Sequence, residues 1–169
     1  MRTRQRDRDV EGPRSPWDEV VPGLWMGGHV WTDPAGELRA AVVNEEFDLV
    51  VSLFARAGHG PAPHVDHLVA EMPDGPLSAE QLRAVQHLAA ATHEALRAHR
   101  TVLVRCHSGY NRSGLVVAQT LFLAGLAPAA AIELIRRRRS PWALHNATFV
   151  DYLTTGLDVA VLLTDLEPP

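Results

Sequence analysis

The residues best suited to chemistry lie in one short stretch, VLVRCHSGYNRSG at positions 102–114. A β-branched run of strand length leads to Cys106, the single cysteine of the chain, and Arg112 and Ser113 then open a helical pattern. A tight loop that enters a helix directs successive backbone N–H groups inward, so it forms a nest for an anion at the positive end of the helix dipole. Arg112 adds a planar fork that holds two phosphate oxygens at once. The spacing therefore predicts a trap for a phosphoryl group with a thiol inside it.

A nucleophilic role for Cys106 follows from the same arrangement. The donors that bind a phosphate also stabilise a thiolate, and a thiolate that faces a bound phosphoryl group attacks phosphorus in line. Gly109 supplies the positive φ that the curvature of such a loop needs. The alternative is that Cys106 is a small buried apolar residue, but this leaves Arg112 and Gly109 without a reason. An arginine at a helix start is also unfavourable unless an anion is present.

The pattern Cys106-x5-Arg112-Ser113 resembles the active loop of the protein tyrosine phosphatase superfamily, and above all its small dual-specificity branch. The resemblance continues outside the loop in three segments that are similar to a strand pair, a core strand and a C-terminal helix motif of that branch: Val21–Gly28, Phe47–Leu53, and Pro141–Leu153 with Asn146 and Phe149. It implies a phosphocysteine intermediate that needs no cofactor and no metal. The implied substrate is a phosphorylated protein, on phosphotyrosine and also phosphoserine or phosphothreonine, or a small phosphomonoester.

The resemblance also implies an aspartic acid on an upstream loop, which protonates the leaving oxygen. Asp74 lies in the turn Met72–Pro76, where Gly and Pro favour an exposed loop that can swing over a pocket. The alternative for Asp74 is a turn former without a catalytic role. Asp66 and Glu71 are rival acids, but both belong to a strand-like run with little freedom to reach a pocket.

The cysteine loop, defined here as residues 106–112, is expected to hold the phosphate oxygens through the backbone of His107, Ser108, Gly109, Tyr110, Asn111 and Arg112. Ser113 is expected to donate its hydroxyl to the departing thiolate when the phosphocysteine is hydrolysed, or to cap the helix. The chain departs from the family at Arg105, where the family has a histidine that positions the loop. A cation at that position still favours the thiolate.

The surrounding pattern predicts a single α/β domain. Its central, mainly parallel sheet is expected to carry helices on both faces, with the cysteine loop between a strand and a helix N-terminus. Ser78 and Gln81 form the capping-box signature of a helix that ends near His99. The predicted strands are Glu19–Val21 and Leu24–Met26 as a hairpin, Phe47–Phe54, His64–Met72 and Thr101–Arg105; the other predicted helices are Ser113–Ala124, Pro128–Arg139 and Asn146 to about Leu163.

Composition sets limits on the protein class. The chain has 169 residues, 46% apolar and 21% charged, which fits one globular domain and excludes a disordered chain. Residues 1–16 alternate charges without an apolar period, so we expect a mobile Arg-rich tail before a phosphatase domain at 17–165. The net charge is −4 and five arginines lie in that tail, so the body is acidic and no nucleic-acid partner is expected.

The expected location is the cytoplasm. One cysteine points to a reducing compartment, and the Arg-rich start lacks the apolar run of a secretory signal. The 18 residues Leu115–Ile132 carry no charge, but Gly125 and Pro128 indicate two helices rather than a membrane span.

Other readings of the chain stay open. A non-catalytic phosphate-binding module would keep the cysteine loop without a working acid, and a sulfurtransferase also uses one loop cysteine. Phosphopeptide, phosphoinositide and small-metabolite substrates are all compatible with the sequence, which does not indicate the oligomeric state. The run Arg136–Arg139 is interpreted as a solvated helix end or a basic rim of the pocket. His59, His64 and His67 fit no standard metal-ligand spacing.

Overall fold

The computed structural model describes residues 10–167, and the centre of the molecule is a five-stranded sheet. Its strands are β1 (Trp17–Val21), β2 (Leu24–Gly27), β5 (Leu49–Ser52), β6 (Asp66–Val69) and β7 (Val102–Arg105), in the order β1-β2-β7-β5-β6. β1 and β2 form the predicted antiparallel hairpin, and all other neighbours are parallel. The prediction of a mainly parallel sheet is confirmed. A second sheet pairs β3 (Val30–Thr32) with β4 (Leu38–Ala40).

The two central strands are buried on both faces, as their unbroken apolar sequence predicts. All four residues of β5 and all four of β7 are buried. Because side chains alternate along a strand, Val51 and Val104 join the large core under the helices, whereas Val50 and Leu103 join a smaller core on the other face. This burial fixes the carboxyl end of β7, from which the cysteine loop leaves.

Five helices complete the described part of the chain: α1 (Ala79–Arg97), α2 (Arg112–Leu123), α3 (Pro128–Arg138), α4 (Ala147–Thr155) and α5 (Leu157–Leu166). The capping box predicted at Ser78 is present, because its hydroxyl accepts from Gln81 N and its own N–H donates to the Gln81 side chain. The helical side chains in the two cores all belong to the larger one. The smaller core consists of Val43, Phe47, Val50 and Leu103 with Trp17, Trp25 and Val65. The second face therefore carries loop segments and not the helices that we expected there.

The last predicted helix is in fact two helices. α4 and α5 meet at Gly156, whose φ is 97°, and they are bent by 107°. A left-handed φ at glycine ends a helix, so the prediction of one helix from Asn146 to about Leu163 was wrong. Among residues 10–167, no single helix is long and apolar enough to cross a membrane. The uncharged stretch 115–132 is divided between α2 and α3, as predicted.

Part of the predicted N-terminal tail lies against the body of the protein. Residues 1–9 are outside the described residues. The carbonyl of Pro13, however, accepts a hydrogen bond of 2.7 Å from Thr32 N, and the carbonyl of Glu11 accepts one of 2.7 Å from the Tyr110 hydroxyl. We call residues 10–15 the N-terminal strap. The boundary that the sequence suggested at residue 16 does not separate the strap from the contacts of the domain.

Candidate active site

The cysteine loop lies where strand β7 ends and helix α2 begins. The carboxyl ends of parallel strands are the usual place for a ligand crevice in such sheets. Cys106 directly follows β7 and is 2% exposed, and Arg112 is the first residue of α2. Gly109 has a φ of 75°, and a Cβ at this position would come within 2.5 Å of the Gly27 oxygen. The loop thus needs glycine there for both its curvature and its close packing.

The carbonyl groups of the cysteine loop are occupied by the surrounding protein. They accept hydrogen bonds at four successive positions: His107 from His29 N, Ser108 and Gly109 from the Arg139 guanidinium, and Tyr110 from Leu144 N. The backbone N–H groups of residues 107–112 make no hydrogen bond to any part of the chain between residues 10 and 167. Such N–H groups next to a helix N-terminus are the donor set of an anion nest.

The Arg112 side chain has one buried hydrogen-bond donor that no group within residues 10–167 satisfies. Its Nη1 donates to Met72 O at 3.1 Å, and its guanidinium lies 5.5 Å from the centre of the Phe54 ring. Its Nε is buried and has no partner within residues 10–167. A buried donor without an acceptor costs about 1–3 kcal/mol, so the arrangement is suited to an oxyanion that accepts from Nε.

The sulfur of Cys106 contacts one side-chain hydroxyl. Ser113 Oγ lies 3.4 Å from Cys106 Sγ, and Ser113 is fully buried in the first turn of α2. A hydroxyl at this distance can donate to a thiolate. The structure therefore brings Ser113 to the atom on which we expected it to act.

Asp74 is brought to the same place from the loop before α1. Its two carboxylate oxygens accept hydrogen bonds from two amides, at 3.0 Å from Asn111 Nδ2 and at 2.7 Å from Asn146 Nδ2. Asn146 in turn donates its backbone N–H to Asn111 Oδ1 at 3.0 Å. One polar network thus joins the loop before α1, the cysteine loop and the start of α4.

One cavity of about 190 Å³ is lined by six of the predicted site residues, whereas His107, Gly109 and Ser113 are not among its lining residues. It is lined by Cys106, Asp74 and Arg112, together with Val10, Gly12, Ser108, Tyr110, Asn111 and His145. The rival acids lie elsewhere: Asp66 is paired with Arg100 at 2.5 Å, and Glu71 accepts from Ala55 N at 3.1 Å. Val10, Gly12 and His145 were not predicted, because nothing in their local sequence indicates a contact with the cysteine loop, which lies more than 90 positions from Val10 and Gly12 and more than 30 from His145.

Arg105, at the position where the sequence resemblance led us to expect a histidine, is almost completely buried, with 1% exposure. It donates from Nε to Ser52 Oγ at 3.0 Å, from Nη1 to His59 O at 2.9 Å and from Nη2 to Gly60 O at 2.6 Å. Burial lowers the pKa of Arg105 to about 10, so the guanidinium stays charged at neutral pH. Its role in this structure is to tie the end of β7 to the segment that follows β5.

Two histidines complete this buried base. His29 Nδ1 lies 3.2 Å from His59 Nδ1, and His29 Nε2 lies 2.8 Å from Phe54 O. Burial is the main cause that lowers the pKa of His29 to about 4, and it also lowers the pKa of His59. The pKa of His107 is lowered by burial first and by the charge of Arg112 second. These rings are therefore neutral at pH 7.

The arginine run at the end of α3 is not simply a solvated helix end. The Arg139 side chain is 1% exposed and pairs with Asp18 at 2.7 Å, and it also donates to Ser15 O at 2.9 Å. Arg136 donates to the carbonyls of Ala143 and Leu144. Only Arg137 and Arg138 fit the interpretation of exposed charges at a helix terminus. No group of three metal-ligating side chains occurs within the described residues.

The fold of this chain occurs in proteins of known structure. No family model matches the chain, and no curated protein matches its sequence. Solved structures do match. Human DUSP28 is 25% identical with a TM-score of 0.69, covering 90% of this chain and 99% of its own. Tk-PTP in its active form is 22% identical with a TM-score of 0.58, covering 83% and 97%. PTPMT1 in complex with PI(5)P is 12% identical with a TM-score of 0.66, covering 89% and 99%.

The fold is that of the protein tyrosine phosphatase superfamily. Among the solved structures of that superfamily the chain is similar to one of the dual-specificity branch, so the resemblance seen in its sequence is confirmed at the level of the fold.

Proposed function

We propose that the protein hydrolyses phosphate monoesters through a phosphocysteine intermediate. One observation carries the proposal: a single cavity is lined by Cys106, by three residues of the loop whose N–H groups have no acceptor within residues 10–167 (Ser108, Tyr110 and Asn111), and by Arg112, whose Nε has no partner in the same range. A phosphoryl group in that cavity satisfies the donors and faces the nucleophile. Donors aimed at the equatorial oxygens stabilise the charge of the transition state, which is the main contribution a protein makes to phosphoryl transfer.

The first half of the proposed reaction transfers the phosphoryl group to the protein. The Cys106 thiolate attacks phosphorus in line, and the bond between phosphorus and the leaving oxygen breaks. Asp74 gives its proton to that oxygen, so the product leaves as an alcohol or phenol. The amides of Asn111 and Asn146 orient the Asp74 carboxyl group at the cavity.

The second half regenerates the thiolate. Water attacks the phosphorus of the phosphocysteine while Asp74 takes up its proton, and the sulfur–phosphorus bond breaks. Ser113 donates a hydrogen bond to the departing sulfur from its position 3.4 Å away. Inorganic phosphate then leaves the loop. Phosphorylated proteins on tyrosine, and also on serine or threonine, are the proposed substrates.

The test measures turnover of p-nitrophenyl phosphate by the wild type, Cys106→Ser and Asp74→Asn. We expect Cys106→Ser to lose turnover by about four orders of magnitude while it still binds vanadate. We expect Asp74→Asn to lower kcat by about 100-fold or more and to flatten the alkaline limb of its pH profile. Retained turnover in Cys106→Ser contradicts Cys106 as the nucleophile, and an unchanged pH profile in Asp74→Asn contradicts Asp74 as the acid.

The wild type itself separates this proposal from the two others. Vanadate binding without any turnover at mildly acidic pH indicates a non-catalytic phosphate-binding module. Transfer of sulfur from thiosulfate to cyanide indicates a sulfurtransferase. A panel of phosphopeptides and phosphoinositides then identifies the substrate class.

A further inference from the structure

The N-terminal strap is held beside the cavity at three points. The Tyr110 hydroxyl donates to Glu11 O at 2.7 Å, Thr32 N donates to Pro13 O at 2.7 Å, and Arg139 Nη1 donates to Ser15 O at 2.9 Å. Two of these anchors, Tyr110 and Arg139, are groups that belong to the cysteine loop or hold it. The strap is therefore fixed to the same structure that forms the anion nest.

Two residues of the strap form part of the cavity wall. Val10 and Gly12 line the space that also contains Cys106, Asp74 and Arg112. The cavity, at about 190 Å³, is smaller than the pockets of about 300–1,000 Å³ that enclose drug-sized ligands. It has room for a phosphoryl group and the first part of a leaving group, and the rest of the substrate must pass the strap.

We propose that the strap determines the substrate width that this site accepts. This inference rests on the proposed phosphatase function and goes beyond it, because it assigns a specificity role to Val10 and Gly12. Val10 is the strap residue with a side chain among those that line the cavity, so it is the one whose size can set the width of the space on the strap side. The site accordingly selects esters with a slender leaving group, such as a single aromatic ring, over esters of fused-ring alcohols.

Two changes at Val10 test the wall in opposite directions. The measured quantity is kcat/KM for 3-O-methylfluorescein phosphate, which has fused rings, divided by kcat/KM for p-nitrophenyl phosphate. Loss or gain of one or two carbon atoms in a substrate pocket changes selectivity by about tenfold or more. We expect Val10→Ala to raise the ratio by about tenfold and Val10→Trp to lower it. Val159→Ala, at an exposed valine of α5 that does not line the cavity, leaves the ratio unchanged.

A pair of truncations provides a second measurement. Deletion of residues 1–9 keeps the whole strap, and deletion of residues 1–12 removes Val10 and Gly12. We expect only the longer deletion to raise the ratio, by at least as much as Val10→Ala. Thermal unfolding shows whether each truncated protein is folded. If a truncated protein is not folded, the test rests on Val10→Ala and Val10→Trp.

The outcomes separate this inference from the proposed function. An unchanged ratio in folded Val10→Ala and in the longer deletion overturns the role of the strap and leaves the phosphatase intact. If the wild type turns over neither ester, the proposed function fails. The strap is then tested through the dissociation constants of the same two esters in the Cys106→Ser background. Equal shifts for both esters in Val10→Ala overturn it there as well.

Discussion

Two buried arginines support the cysteine loop, and they do so in different ways. Arg139 holds the loop from outside, because it donates to the carbonyls of Ser108 and Gly109 and pairs with the carboxylate of Asp18. Arg105 holds the base of the loop, where its three hydrogen bonds go to a hydroxyl and two carbonyls. Within residues 10–167, Arg105 has no carboxylate partner.

The comparison shows that equal burial does not mean equal energetic roles. A buried charge pair that loses one partner leaves the other charge uncompensated, which is among the most costly changes in a folded protein. A buried cation bonded to neutral groups leaves only unsatisfied neutral acceptors when it is removed. We expect removal of the Arg139 side chain to destabilise the protein more than removal of the Arg105 side chain. We therefore call Arg139 the brace and Arg105 the tie.

The largest expected effect is at the brace. Arg139→Met should lower the free energy of unfolding by about 3 kcal/mol or more, because three loop or strap carbonyls lose a donor and Asp18, whose side chain is 30% exposed and keeps the hydrogen bond from Ser15 Oγ, loses its cationic partner. Urea denaturation measures the loss. Arg138→Met, at the exposed neighbouring position, should stay within about 0.5 kcal/mol of the wild type. Equal losses of unfolding free energy in Arg139→Met and Arg138→Met would contradict a special contribution of Arg139 to stability.

The base of the loop should show a pH dependence of its own. The pKa of His29 is lowered to about 4 by burial, whereas an unfolded histidine titrates near 6.5. Between these values the unfolded state binds a proton that the folded state does not, so the stability is complete above pH 6.5 and falls as the pH drops toward 4. The expected loss is about 3 kcal/mol.

The matched variants for this pH dependence are His29→Gln and His87→Gln. His29→Gln removes the ring whose pKa is lowered most and should reduce the slope of stability against pH between pH 4 and 6.5, as urea midpoints will measure. His59 and His107, whose pKa values burial also lowers, keep a smaller slope. His87 is exposed on α1, so His87→Gln should keep the slope. An unchanged slope in His29→Gln assigns the dependence to other groups.

A smaller effect is expected at the tie. Arg105→Met keeps an apolar stem in the site but removes one donor each from Ser52 Oγ, His59 O and Gly60 O. His59 O still accepts from Val43 N, and Ser52 Oγ still contacts His67 Nε2. We expect a loss of about 1–3 kcal/mol, less than that of Arg139→Met. The control is Arg56→Met, at an exposed position of the segment that follows β5, which should change the stability little. If Arg105→Met is the more destabilising of the two buried changes, the distinction between brace and tie is wrong.

The smallest expected effect concerns the strap. Tyr110→Phe removes one hydrogen bond to Glu11 O and should cost about 1 kcal/mol. Tyr152→Phe removes a comparable bond, from Leu77 N to the phenol oxygen, and should cost a similar amount. Only Tyr110→Phe should alter the ratio of activities toward wide and slender esters. Identical activity ratios in Tyr110→Phe and Tyr152→Phe would contradict a role of the Tyr110 hydrogen bond in positioning the strap.

The sequence predicts local features of the molecule well. The buried strand before Cys106, the capping box at Ser78 and the hairpin around Gly23 all depend on neighbouring residues, and the structure contains each of them. Gly156 carried a local signal as well, since a glycine between two apolar helical runs is a common helix end. The continuous apolar character of the flanking segments, however, favours one unbroken helix.

Features that depend on distant contacts could not be predicted. Arg139 was interpreted as a solvated charge because its partner Asp18 lies 121 positions away in the sequence. Nothing in the local pattern showed that loops, and not helices, would cover the second face of the sheet. The strap is a similar case, because its charged, aperiodic sequence is typical of a free terminus and its attachment is made by backbone atoms.

That attachment has a consequence for how the protein can change. All three anchors of the strap grip main-chain oxygens, those of Glu11, Pro13 and Ser15. Every residue type possesses such an oxygen, so exchanges of side chains at positions 10–14 leave the grip in place. The side chains of the strap can therefore change, and with them the contacts beside the cavity, without loss of the hydrogen bonds that hold the strap beside the cysteine loop.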